Sequence, residues 1–247
     1  MNHSDLQPAF ILFSRPFQDN SVIIDVFSQA VGRFGIVVKY GRGSSRNQQR
    51  RALLQPFVPV QLSWQGRGEL KSLLQIEADG APLHLHGERL FSGLYLNELL
   101  TRLLHRYDPH PELYHHYIHA LKGLASDEKL EWVLRRFELQ LLNELGYGVD
   151  LHCDGQDGSP LLFDCDYRLT LDEGFLPVGQ AMKDTFRGAD LLALAAGEQS
   201  EALRPVAKRL CRLLLAPHLG DKPLQSRELM KGLSISPVTQ LTETTRN

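Results

Sequence analysis

The period at which apolar residues recur changes near residue 81, and this change constrains the fold more than any other feature of the chain. Residues 1–80 hold short apolar or alternating segments rich in β-branched and aromatic residues, a pattern typical of strands. Over residues 81–233, apolar residues recur every three or four positions, which predicts helices that pack on one another. We therefore predict an α+β protein of two domains, and 247 residues are enough to bury a core in each.

Five strands are predicted in the first domain. Turn-forming residues separate them, and a long segment rich in Gly, Ser and Arg follows the third strand. Five short antiparallel strands with one long loop indicate a β-barrel of the OB type, although an SH3-like barrel would give a similar pattern. The predicted strands cover residues 9–14, 21–27, 34–40, 57–64 and 69–77.

The second domain is predicted to be mainly helical. A small hairpin insert is expected at about residues 147–180, where Gly, Asp and Pro interrupt short apolar pieces. Residues 234–247 show no periodicity, so we expect a disordered tail there. The predicted helices cover residues 88–106, 111–125, 128–146, 188–197 and 201–219.

The N-terminal residues lack the basic start and apolar stretch of a signal peptide, and no apolar run approaches the roughly 20 residues that span a bilayer. We therefore expect a cytoplasmic protein without a membrane partner. Three cysteines, Cys153, Cys165 and Cys211, make an odd number in a chain of this size. Reduced thiols are expected rather than a disulfide framework.

Positive charge is concentrated between Asp25 and Glu69, a run that contains no acidic residue. The whole chain has a formal net charge of −2, but residues 1–80 carry 9 basic against 6 acidic side chains, whereas residues 81–180 carry 8 against 16. A local basic surface of this kind predicts an anionic partner such as nucleic acid. The run holds Arg33, Lys39, Arg42, Arg46, Arg50, Arg51 and Arg67.

Six blocks of sequence resemble the RecO family, the bacterial recombination mediators. They follow one another from residue 9 to about residue 231, so the resemblance covers nearly the whole chain. It implies an N-terminal OB barrel and a helical C-terminal domain. From the residues themselves we expect no catalysis and no cofactor, and we expect a cytoplasmic, nucleoid-associated protein. The blocks are AFILFSRPFQDNSVIIDVFSQAVGRFGIVVKYGRG, ALLQPFVPVQL, GRGEL, LYLNELLTRLL, RRFELQLLNELGYG and KPLQSRELM.

The resemblance also implies an activity and partners. Members of the family bind single-stranded and duplex DNA, anneal complementary strands, and work with RecR. They help to load RecA onto strands that are coated by single-strand binding protein. A DNA repair and recombination mediator is therefore the expected function.

The basic residues of the run are predicted to contact DNA phosphates from a mobile loop. Two neighbouring aromatic residues, Phe34 and Tyr40, either stack on bases or lie in the barrel core. A second predicted contact is a stripe along one face of a C-terminal helix, for which solvated surface is the alternative. The stripe consists of Arg204, Lys208 and Arg212.

A peptide site is predicted in the segment WVLRRFELQLL. The C-terminus of single-strand binding protein is acidic and ends in an apolar residue, so it requires an apolar notch beside an arginine. Arg135 and Arg136 are adjacent there, and we expect Arg136 to bind the peptide carboxylate with Leu139 lining the notch. An exposed arginine pair on a core helix is the alternative.

No metal site or active site is predicted. His152, Cys153 and Cys165 lie where some family members carry a four-cysteine zinc knuckle, but the paired C-x-x-C elements are absent. His115 and His119 have the spacing of zinc ligands but lack the H-E-x-x-H glutamate. Two alternatives to a DNA mediator remain open: an adaptor whose basic loop binds an acidic protein, and a metal-dependent nuclease.

Overall fold

A computed structural model of the chain describes residues 4–39 and 45–234. The N-terminal part is a closed five-stranded barrel with strand order β1-β2-β3-β5-β4. β3 and β5 are parallel, whereas the other neighbours, including β1 and β4, are antiparallel. The predicted OB-type barrel is confirmed. Its strands are β1 (Gln7–Phe17), β2 (Ser21–Ser28), β3 (Gly32–Lys39), β4 (Val60–Gln65) and β5 (Leu70–Ala78).

The segment predicted as a mobile loop contains a helix, α1 (Ser45–Leu53). Its residues are mostly Arg, Gln, Ala and Leu, which have good helix propensity, whereas the Gly and Ser residues that suggested a loop precede it. Leu53 and the buried Leu54, at the end of α1, pack into the barrel core. α1 is therefore anchored to the barrel at its C-terminal end.

The C-terminal part is helical and carries a small antiparallel sheet of order β7-β6-β8. The sheet extends to residue 187, beyond the predicted insert. The prediction ended too early because β8 is only three residues long, which is too short to show a period. The predicted tail covers residues 234–247. Ser234 is the last residue of the last helix, and residues 235–247 lie outside the described residues. The elements are α2 (Gly87–Leu103), α3 (Pro111–Leu124), α4 (Leu130–Glu144), β6 (Asp166–Thr170), β7 (Gly174–Val178), β8 (Thr185–Arg187), α5 (Gly188–Ala195), α6 (Leu203–Leu219) and α7 (Gln225–Ser234). Among the described residues, no helix combines the length and apolarity needed to cross a membrane.

The barrel and the helices share one hydrophobic core. Phe10 and Phe27, on the outer side of the barrel, pack edge-on against Tyr117 and Tyr114 of α3, with ring centroids 5.4 and 5.5 Å apart. Asn97 of α2 donates a hydrogen bond of 2.9 Å to the main-chain oxygen of Leu12 in β1. A buried apolar contact therefore joins the two parts, and the helical part covers one side of the outer surface of the barrel.

A second contact joins the two parts at β3. The first residues of β3 extend beyond the pairing with β5, and there the segment after α2 lies along the strand. Tyr107 N donates to Arg33 O at 2.9 Å, and Arg33 Nη1 donates to Leu104 O at 2.9 Å. Gly32 has φ +75°, and an added Cβ would lie 1.9 Å from Asp108 O. The backbone can come this close only because residue 32 is glycine.

Candidate nucleic-acid interface and peptide cavity

The outer face of the barrel exposes an aromatic side chain, Phe13, because of an irregularity in β1. Ile11 packs inside the barrel and Leu12 packs outside, so strict alternation would turn residue 13 inward. The register between β1 and β2 shifts between Ile11 and Phe13, and Phe13 is 54% exposed. Bulges re-aim side chains in this way. Phe13 is a candidate functional residue that the sequence analysis missed.

Phe13 lies in a row that crosses four strands. It pairs with Asp25 of β2, which pairs with Gly35 of β3, which pairs with Leu70 of β5. Leu70 is 40% exposed, so both ends of the row offer apolar surface. The side chains of Leu70 and Arg106 lie over Gly35 in the middle of the row, so Phe13 is its exposed aromatic group, and an exposed ring of this kind can stack on a base.

The one acidic side chain of this row is neutralised. The Asp25 carboxylate lies 3.3 Å from Arg33 and 4.0 Å from Arg106, and its side chain is 15% exposed. Arg15 is exposed on the same side of β1, two residues after Phe13. The outer face therefore combines exposed aromatic surface with an excess of positive charge, which suits a nucleic-acid strand.

The structure places three of the predicted basic residues, Lys39, Arg50 and Arg51, near the C-terminal end of β3. β3 and β5 run parallel with Val37 opposite Ser72, and exposed Lys39 ends β3 two residues further along. Arg50 of α1 donates to Leu74 O at 3.5 Å, which brings α1 beside β5. Arg51 is also exposed on α1.

Other residues of the predicted set are placed differently. Arg67 is exposed in the turn before β5, at the opposite end of that strand. Arg46 belongs to α1, but its side chain is outside the description, and Arg42 and Tyr40 lie outside the described residues. The described residues of the basic run thus lie at both ends of the barrel.

Arg33 and Phe34 have structural roles in the described fold. The Arg33 side chain is 12% exposed and is bound to Asp25 and to Leu104 O, so its guanidinium joins the barrel to the helical part. Phe34 is fully buried and packs on Trp64 with ring centroids 4.7 Å apart. Of the two alternatives for Phe34, stacking on bases is wrong and packing in the core is confirmed.

The helical part contains a cavity of about 400 Å³, which we call the basic cavity. Residues from α2, α4, α6 and α7 line it, and its apolar walls include Phe91, Trp132 and Leu134. The predicted stripe of α6 forms its cationic side together with one arginine of α4 and one of α7. These five residues are Arg204, Lys208, Arg212, Arg135 and Arg227.

The adjacent arginines of α4 point in different directions, as helical neighbours about 100° apart must. Arg135 lines the basic cavity, whereas the described lining includes neither Arg136 nor Leu139. Arg136 forms an ion pair of 2.9 Å with Glu128, and Leu139 packs against the helical core. The geometry thus favours Arg135 over Arg136 as the arginine available to a ligand in this cavity.

Beneath Arg135 lies a buried carboxylate, Glu138. Its Oε1 atom is 2.8 Å from Arg135 Nη2 and accepts a hydrogen bond of 2.7 Å from the Tyr95 hydroxyl. Burial raises the pKa of Glu138, although Arg135 and the hydrogen bonds from Tyr95 and Cys211 oppose the shift. Burial also raises the pKa of the Cys211 thiol well above its usual value. Both Tyr95 and Arg135 thus connect the cavity wall to one buried acidic group.

Among the described residues, no three His, Cys, Asp or Glu side chains converge as metal ligands would. His115 Nε2 lies 3.0 Å from the side-chain nitrogen of Gln29. Cys153, Cys165 and Cys211 are free thiols, and Cys211 is fully buried.

Comparisons with known proteins place the chain in a family. The family models described as "Recombination protein O N terminal" and "Recombination protein O C terminal" match residues 1–80 and 84–228. The DNA repair protein RecO of Haemophilus influenzae is 44% identical over 230 residues, which are 92% of this chain and 95% of that protein. The protein of the same name from Pseudomonas aeruginosa is 43% identical over 238 residues, 96% of this chain and 99% of that protein. The chain therefore belongs to the RecO family of DNA repair proteins.

Proposed function

We propose that this chain is a non-enzymatic mediator of DNA repair and recombination that binds single-stranded and duplex DNA and anneals complementary strands. One observation carries the proposal: the run from Asp25 to Glu69 has seven basic residues and no acidic residue between its ends, and it borders the barrel face that exposes Phe13. Family membership supports a role in DNA repair.

Annealing by such a surface requires charge rather than an active site. Two complementary strands repel each other through their phosphates, and guanidinium groups on the barrel and α1 would reduce this repulsion. An exposed aromatic ring would hold bases unpaired and accessible by stacking. Base pairing then supplies the driving force, so no nucleotide hydrolysis is needed.

The basic cavity is proposed to bind the C-terminal tail of single-strand binding protein. Five cationic residues line the cavity against two acidic ones, which favours an acidic peptide, and the apolar walls receive its final side chain. Arg204 is ion-paired with Glu131 and Arg135 with Glu138. Lys208 and Arg212 are therefore the first candidates for the peptide carboxylates, and Arg135 can bind one only in competition with Glu138. Binding at this site would recruit the chain to strands that are coated by single-strand binding protein. Together with RecR, the chain would then help to load RecA onto those strands.

The DNA proposal is tested by replacing Arg42, Arg46, Arg50 and Arg51 together with alanine. Fluorescence anisotropy with a labelled single strand should show weaker binding, and the magnitude of the log–log salt slope should fall by about 0.7 per lost phosphate contact, about 3 in all. The thermal midpoint should change little, because charges on the surface of the protein contribute little to folding.

The matched control removes four exposed basic residues from the helical part. It lowers the net charge equally, so it should leave most of the salt slope in place. Equal slopes for the two variants would contradict a local DNA surface. Unchanged DNA affinity in the first variant, with weakened binding of an acidic protein, would favour the adaptor. The control residues are Lys122, Lys129, Arg168 and Lys183.

A further inference from the structure

The wall of the basic cavity is held in place by a carboxylate that a ligand cannot touch. Glu138 is fully buried, and its Oε1 atom binds both Arg135, at 2.8 Å, and the Tyr95 hydroxyl, at 2.7 Å. Its other oxygen, Oε2, is buried without a hydrogen-bond partner in the described structure. One atom of Glu138 thus positions two residues that line the cavity.

The charge of Glu138 depends mainly on Arg135. Four groups from four helices surround the carboxylate: Arg135 on α4, Tyr95 on α2, Cys211 on α6 and Arg227 on α7. Tyr95 and Cys211 remain neutral because burial raises both of their pKa values well above the usual ones. The Arg227 guanidinium lies farther away, over the Tyr95 ring at 5.3 Å from its centroid. Arg135 is therefore the close counter-charge.

A carboxylate ligand in the cavity would compete for the same guanidinium. Arg135 lines the cavity and its side chain is 12% exposed, so a ligand carboxylate can approach the guanidinium that already pairs with Glu138. With the ligand in place, Arg135 would face two carboxylates, and the fully buried Glu138 would lose part of the charge that its ion pair with Arg135 supplies. The other cations that line the cavity can pair with the ligand, but among the described residues only Arg135 forms an ion pair with Glu138. A buried carboxylate that loses its counter-charge favours the protonated form.

We infer that Glu138 is a positioning residue that takes up one proton from solvent when a carboxylate docks against Arg135. The proton goes to Oε2, since Oε1 already accepts the Tyr95 hydrogen bond, and no other bond forms or breaks. Glu138 then continues to hold Tyr95 in the wall while Arg135 turns its charge to the ligand. The inference rests on the proposed peptide function of the cavity.

Affinity for an anionic peptide should therefore rise as pH falls. One proton taken up per ligand bound gives up to a tenfold change in affinity per pH unit, within the range between the pKa of Glu138 in the free protein and in the complex. Binding that bypassed Glu138 would show no such slope.

Calorimetry measures the proton directly. The full chain is titrated with a synthetic peptide of four aspartates and a terminal phenylalanine, in phosphate and in Tris, whose ionisation enthalpies differ. We expect uptake of about one proton by the unaltered protein. Glu138→Gln should still bind the peptide, because the amide oxygen still accepts the Tyr95 hydrogen bond. It should do so with almost no proton uptake, because the amide replaces the carboxylate that takes up the proton. Glu112→Gln, a change at an exposed carboxylate of α3 outside the cavity lining, should leave the uptake unchanged.

The ligand supplies a control that requires no variant. The same peptide with asparagines in place of the four aspartates and with a C-terminal amide has no competing carboxylate, so its binding should be accompanied by no proton uptake. Peptide binding without proton uptake by the unaltered protein would overturn the inference while leaving the peptide proposal intact. Equal uptake by Glu138→Gln would overturn the assignment to this residue. No binding of the free-acid peptide would overturn the peptide proposal and this inference together.

Discussion

Replacing Gly32 by alanine should loosen the contact between the barrel and the helical part. Gly32 has φ +75°, and the new Cβ would lie 1.9 Å from Asp108 O and 2.5 Å from Asp108 C. These are backbone atoms, so a side-chain rotation cannot relieve the overlap. Either β3 or the segment after α2 must move.

The cost has two parts. A left-handed conformation costs a non-glycine residue about 1–2 kcal/mol. Displacement of packed backbone adds about 1–3 kcal/mol, by analogy with overpacked cores. Gly146 provides a matched control, because its φ is +77° and an added Cβ meets nothing within 4 Å. Gly146→Ala should therefore show only the conformational cost.

Thermal unfolding monitored by circular dichroism measures the difference. For a chain of this size, 1 kcal/mol lowers the midpoint by about 2–4 °C, so Gly32→Ala should unfold about 2–12 °C below Gly146→Ala. Equal midpoints for the two variants would refute the proposed close contact between β3 and Asp108.

Three further predictions concern the surfaces and the helical part. Phe13→Ala should weaken single-strand binding by about 1–3 kcal/mol in anisotropy, with an unchanged salt slope, because stacking is lost and no phosphate contact is; an altered slope with unchanged affinity at low salt would contradict this. Arg135→Ala should reduce peptide affinity by about 1.5–3 kcal/mol in calorimetry, whereas Arg136→Ala should have little effect, and the reverse order would place the peptide elsewhere. Burial raises the pKa of Glu98, but hydrogen bonds from Ser226 and its neighbour Gln225 outweigh burial, so the pKa is lower than usual. Ionised Glu98 therefore adds to the free energy of unfolding above the usual carboxyl pKa, and this contribution is lost as the pH falls through the lowered pKa of Glu98. Urea unfolding from about pH 5 to about pH 3 should show a smaller acid-induced loss for Glu98→Gln than for the unaltered protein, and identical losses would argue against this role.

The barrel could be predicted from the sequence because period-two segments and turn residues mark each strand. The exposure of Phe13 could not be predicted, since residues 9–13 are all apolar and a continuous apolar run conceals a register shift. Arg33 was expected on the surface because it is charged. Its pairing with Asp25 and Leu104 depends on the register of β2 and β3 and on a contact 71 residues away in sequence.

The sequence predicted only some of the residues that line the basic cavity. Helical spacing predicted that Arg204, Lys208 and Arg212 share a face, and they do line one cavity. That Arg135 belongs to the same cavity depends on how α4 packs against α6, which periodicity does not determine. The choice between Arg135 and Arg136 depends on the rotation of α4 about its own axis.

The shared core also affects how the chain can fold during synthesis. Phe10 and Phe27 emerge from the ribosome early, but their partners Tyr114 and Tyr117 lie well beyond the barrel in sequence. At about 5–20 residues per second, the roughly 40 residues from the end of the barrel to Tyr117 take about 2–8 s to make. Throughout that interval the nascent barrel carries an uncovered apolar side, a surface that chaperones bind and that favours aggregation when translation stalls.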